Sequence, residues 1–218
     1  MIIQTPLNAE KFIKKEVPYK VRAQFIPLIH KAYDLAYKAL EEYPFLGWKI
    51  GEYHIGYLKH IAVQYVLKNG VDRGELPFNY TIEYNSNKTY PFLQLHTENA
   101  KITVSQTTTP NKIARPAFFR KKLQLANQLY WDLWEEEEVN TKLEPKYLLL
   151  THGYGNREPA FINLGMPGKN NWIDRINILE EPRLIKLENE DRAKEEKITS
   201  EKLVDFKEFL QGVRRSEE

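Results

Sequence analysis

The sequence predicts an α+β fold: a mainly antiparallel sheet packed against two N-terminal helices and a central helix, with a tethered C-terminal amphipathic helix. Three observations carry this. Apolar residues recur at helical spacing through the first third of the chain, alternate with polar ones from residue 78, and form short runs flanked by turn residues after residue 145. At 218 residues and 42% hydrophobic content, the chain can bury a core without covalent staples.

Val21, Phe25, Leu28, Ala32, Ala36, Leu40 and Tyr43 form the stripe of a helix with one buried face. Pro18 suits its first turn, and Pro27 is expected to kink the helix or split it near Ile26. A second helix repeats the pattern through Ile55, Leu58, Ile61, Ala62, Tyr65 and Val66, with Asn69-Gly70 as a left-handed stop. The period then changes. Phe78, Tyr80, Ile82 and Tyr84 alternate with Asn79, Thr81 and Glu83, which predicts a strand with one buried face. "FLQLHTE" and "KITVSQTTT" follow as a hairpin through Glu98-Asn99-Ala100, completing a three-stranded meander. The central helix opens near Pro116 and is striped by Phe119, Leu123, Ala126, Tyr130 and Leu133.

The glycine-rich stretch "THGYGNREPAFINLGMPG" resembles a phosphate-cradling loop at first sight. Such a loop needs a helix N-terminus after its glycines, because the helix amides complete the anion site. Here the apolar run "PAFINLG" follows, so "GYGNRE" is the turn of a hairpin, with an anion held by Arg157 and the loop amides as the lesser alternative. One or two further short strands bury Trp172, Ile176 and Ile178. Residues 1–187 thus form one domain, 188–198 a charged linker, and 199–214 a helix striped by Leu203, Phe206, Leu210 and Val213. That helix is expected to dock on its own domain in preference to a partner chain.

Composition narrows the chemistry. The absence of cysteine excludes disulfides, thiolate zinc sites and cysteine nucleophiles, and fits a reducing, cytoplasmic setting. No long apolar run or signal-peptide pattern is present, so no membrane association is expected. With a net charge of +2, any electrostatic function must be local. Five histidines (His30, His54, His60, His96 and His152) are scattered, none paired at one-turn spacing. No cofactor is expected.

The segment "PNKIARPAFFRKKLQLANQLYWDLWEEEE" carries the most pointed signal. Helix dipoles favour acids at the N-terminus and bases at the C-terminus, each worth about 0.3–1 kcal/mol. Here the order is reversed: Lys112, Arg115, Arg120, Lys121 and Lys122 gather at the start, and Glu135 to Glu138 at the end. Phosphates bound by the basic side chains and free amides would offset the cost, with hydroxyls of "SQTTT" in support. A solvated charged face is the plainer explanation. Trp131 and Trp134, beside the acidic run, are a candidate surface for a protein partner or a second copy of the chain.

The order helix, three strands, helix, strand over residues 52 to 152 is similar to the core order of restriction-endonuclease-like nucleases. That resemblance implies carboxylates holding a divalent metal and a lysine steadying the attacking water. The nearest candidates are Glu52, Glu83, Gln94 and His96, and Glu98 and Lys101 are one residue too far apart for the expected pair. The site reads as incomplete. The sequence therefore ranks a non-enzymatic accessory protein binding a macromolecule, nucleic acid first, above a metal-dependent nuclease and above a purely protein-binding module.

Overall fold

A computed structural model describes residues 8–127, 145–153 and 156–182, and the fold below is that of these residues. α1 (Ala9–Glu16), capped by the Asn8 side chain, leads into α2 (Tyr19–Glu42), two short helices α3 (Pro44–Gly47) and α4 (Lys49–Tyr53), and α5 (Ile55–Asp72). Strands β1 (Asn79–Tyr84), β2 (Pro91–His96) and β3 (Ala100–Thr107) form the meander, followed by α6 (Phe118–Leu125). β4 (Lys146–Gly153), β5 (Ile162–Pro167) and β6 (Trp172–Asn177) complete the sheet. This is the α+β mixture with a mainly antiparallel sheet that the sequence predicts.

The strands lie in chain order, and every neighbouring pair is antiparallel except β3 and β4, which run parallel. A parallel pair needs a crossover, and the connection carrying α6 supplies it. Alternation along the strands separates two faces. Ile102, Val104, Leu148, Leu150, Ile162 and Leu164 face the large core built with α2 and α5. Tyr147 and Leu149 face the other way, where Ala114, Leu123 and Trp172 join them.

The helices add to the expectation and refine it: α1, α3 and α4 were not predicted, and α2 and α5 show how packing treats Pro27 and Gly70. α2 continues through Pro27 without splitting, because Phe25, Leu28 and Ile29 on either side are all buried and tertiary packing holds the turn together. α5 passes Gly70 and ends at Asp72. A Cβ on Gly70 would meet Leu28 Cδ1 at 3.1 Å, so this glycine serves the close approach of α2, and Gly74, at φ 74°, takes the left-handed conformation instead.

β1 departs from expectation. It is an edge strand, and Ile82 is 39% exposed where a buried face was predicted. The C-terminal end of the fold is pinned to the start of α2 by Arg22, 3% exposed, which pairs with Glu181 and donates to the Val17 carbonyl. Among the described residues, no helix is long and apolar enough to cross a membrane. The predicted linker and C-terminal helix, with Tyr130, Leu133, Trp131, Trp134 and Glu135 to Glu138, lie outside the described residues.

Candidate functional site

The basic segment forms the connection from β3 to α6. α6 begins at Phe118, two residues later than predicted, behind an extended Ala117 that provides no side-chain cap, and its first turn holds no acid. Lys112, Arg115, Lys121 and Lys122 are exposed on this segment, and Phe118 beside them is 71% exposed. Arg120 differs. It turns inward, donating from Nη1 to the Arg115 carbonyl at 2.8 Å and from Nη2 to Ser105 Oγ at 3.1 Å. Its guanidinium lies 4.7 Å from the Phe119 ring, which stacks on Phe92 at 4.1 Å. Burial lowers the Arg120 pKa, opposed by the neighbouring Tyr147 and Tyr90. Of the hydroxyls before the helix, those of Thr108 and Thr109 are exposed, whereas Ser105 and Thr107 are buried.

The nuclease candidates divide. Glu83 on β1 and His96 on β2 meet through Thr81, whose hydroxyl donates to Glu83 Oε1 at 2.9 Å and lies 2.9 Å from His96 Nε2. Gln94, buried on the same side of β2, stands opposite Thr81 in the register. Burial and Lys101 lower the His96 pKa against the opposing Glu83. Glu52 is elsewhere: it sits on α4, not on the long helix, and lines a pocket of about 670 Å³ with Tyr37, Leu40, Pro44, Trp48 and Ile55. Among the described residues, no group of three or more His, Asp or Glu side chains is arranged to hold a metal ion. Arg157 lies 3.8 Å from Glu41 and 5.3 Å from the Tyr37 ring. Phe45, Trp48, Ile50 and Tyr53, which no sequence pattern singled out, are exposed on or beside α3 and α4.

A third arrangement escaped the sequence reading. β2 and β3 pair only from Gln94↔Thr103 to His96↔Lys101, although β2 begins at Pro91 and β3 runs alongside β4 to Thr107. The sheet is split at this end. The Gln64 side chain of α5 enters there, its Oε1 accepting from the Leu93 amide at 2.8 Å. Across the split, Gln106 of β3 stands opposite His152 of β4, and the His152 ring stacks on His60 of α5 with centroids 6.1 Å apart. In open sheets, such carboxyl ends of parallel strands are where ligands bind.

Hydrogen bonding fixes both histidine tautomers. Tyr33 Oη donates its single proton to the Gly153 carbonyl, so its 2.9 Å contact with His152 requires the proton on His152 Nδ1 and leaves Nε2 a lone pair. With Gln64 Oε1 committed to Leu93, the Gln64 nitrogen donates to His60 Nε2 at 3.2 Å, and His60 carries its proton on Nδ1. Burial and the nearby Arg120 charge push His60 down to about 4. Burial, His60 and Lys59 push His152 down to about 3, against an opposing contribution from the Gly153 carbonyl. Both rings are neutral at physiological pH. Beside them Lys59, 0% exposed, donates to the Asn156 carbonyl and to Tyr37 Oη, and its ammonium lies 4.8 and 4.7 Å from the Tyr33 and Tyr37 rings. The signal for His152 was present: in "KYLLLTH" it alternates with Leu148 and Leu150, which places it on the core face.

No protein-family model, curated protein or solved structure matches this chain.

Proposed function

We propose that this protein is a non-catalytic accessory factor that binds nucleic acid along residues 112 to 122. One observation supports the reading most directly. Lys112, Arg115, Lys121 and Lys122 are exposed with no carboxylate partner among the described residues, around a helix start whose amides lack a side-chain cap. Cations and free amides suit backbone phosphates, and the exposed Phe118 offers a ring on which a base can stack. Binding to labelled single- and double-stranded oligonucleotides across a salt series tests this. The expected result is an affinity that falls steeply with salt, and a weaker affinity with a shallower slope for the Lys121→Glu, Lys122→Glu double variant. Equal binding by the variant overturns the surface.

A second reading is favoured by the realised order of helix, three strands, helix and strand together with the Glu83–Thr81–His96 contact. It is a metal-dependent nuclease, in which Glu83 and His96 would hold the divalent ion. Manganese-dependent cleavage abolished by Glu83→Ala would favour it over simple binding.

A further inference from the structure

At the split end of the sheet, four polar atoms are sealed from solvent without a hydrogen-bond partner: His60 Nδ1, Gln106 Nε2, Arg120 Nε and His152 Nε2. An unpaired buried polar group costs about 1–3 kcal/mol, so four at one end of the sheet call for a common explanation. The groups come from four elements. Gln106 and His152 are register partners, His60 stacks on His152, and the Gln106 amide oxygen lies 3.5 Å from where a Cβ on Gly56, one turn before His60, would sit. Arg120 reaches the region from α6, on the other face of the sheet, along Ser105.

The tautomers give this set a definite polarity. His60 Nδ1, the Gln106 amide and Arg120 Nε offer N–H groups, whereas His152 Nε2 offers a lone pair. The charge has one sign: among the described residues, neither Lys59 nor Arg120 is paired with a carboxylate. A matching ligand therefore carries negative charge, accepts several hydrogen bonds and donates one. Protonated phosphate, free or as a monoester, meets all three conditions. Sulfate and an ionised carboxylate have no proton for His152, and the diester phosphates inside a nucleic-acid strand have none either.

We infer that the split end of the sheet, between β2 and β3 and beneath His60, is a binding site for a phosphate monoester or inorganic phosphate. The site is separate from the exposed lysines of α6, which suit backbone diesters. The two meet in one case: a strand lying on α6 could place a terminal phosphate here.

Thermal unfolding of the full chain in a phosphate titration, with sulfate at matched ionic strength, tests the inference. Phosphate should raise the midpoint, increasing with the logarithm of its concentration once that exceeds the Kd, and sulfate should not. Gln106→Leu should weaken phosphate affinity about tenfold, read as a smaller rise above the variant's own unliganded midpoint. The Lys121→Glu, Lys122→Glu variant should keep the full effect, which separates this site from the nucleic-acid surface. A 5′-phosphorylated oligonucleotide that competes with phosphate, when its 5′-hydroxyl counterpart does not, identifies a strand end as the source; no competition identifies a free phosphate compound. Should Gln106→Leu fail to fold, nitrogen NMR of the wild-type imidazoles decides. Both rings should be Nδ1-protonated, and His152 Nε2 should shift with phosphate and not with sulfate. Equal responses to both anions, or none to either, overturn the inference.

Discussion

Beneath α2 and α5, Phe25, Ile29, Tyr33 and Leu67 are sealed against Leu95, Ile102 and Leu148, whereas among the described residues the buried apolar cluster on the α6 side is small: Ala114, Tyr147 and Leu149, with Phe92 stacked on Phe119 beside it. The thin side is held by directional bonds. Asn127 alone donates to the Tyr147 and Pro167 carbonyls and accepts from the Tyr147 amide. Gln124 and Lys146 add bonds to the Gly168 and Ala126 carbonyls. Hydrophobic burial scales with area, so stability is concentrated on the thick side. The thin side is left with an exposed, basic helix, where a surface can serve a ligand at little cost to the fold.

Perturbing each side should expose that asymmetry. Phe25→Ala removes a fully buried ring from the thick side and should cost about 3–5 kcal/mol in denaturant unfolding. Acid strikes the polar end of the same side. Because His60 and His152 have folded values near 4 and 3, below the unfolded value near 6.5, the unfolded chain binds more protons in that window, and stability falls as pH drops below 6.5. Between pH 6.5 and 5 the two rings together should cost about 3 kcal/mol, and His60→Phe should flatten that slope. On the thin side, Asn127→Ala strands three backbone groups and should cost roughly 2 kcal/mol, read as a lower midpoint. Smallest is the charge reversal at Lys121 and Lys122, within about 0.5 kcal/mol of wild type in stability even as nucleic-acid binding weakens. A large loss there would show that the exposed lysines serve the fold.

The elements were legible wherever a single period dominated. The stripe from Val21 to Tyr43, the hairpin at Glu98-Asn99 and the apolar runs flanking "GYGNRE" each became the predicted element. Misreadings came where tertiary packing overrides local preference. Gly70, read as a helix stop, is a packing residue because Leu28 lies against it, and of the two outcomes expected at Pro27 the split does not occur because its neighbours are buried. The site was less legible for the same reason. Lys112, Arg115, Lys121 and Lys122 are close in sequence and remain close at the surface, so a charge pattern found them. Arg120 shares that pattern, yet its direction depends on Ser105 and the Arg115 carbonyl, which only the fold brings within reach. His60 and His152 are far apart in sequence, and no spacing rule can pair them.

The split between β2 and β3 also bears on how the sheet moves. β1 and β2 share a continuous register from Asn79↔His96 to Tyr84↔Pro91, but β2 holds β3 by three residue pairs, whereas β3 and β4 share eight. The β1–β2 ribbon is thus tied to the rest of the sheet by fewer strand pairs than any other part, although Leu93 and Leu95 anchor β2 in the main core. In native-state hydrogen exchange its amides should lose protection together, at a lower free energy than those of β3, β4 and β5. If that ribbon opens first, deuterium should also reach the slow-exchanging C2 positions of His60 and His152 before the β3–β5 amides lose protection.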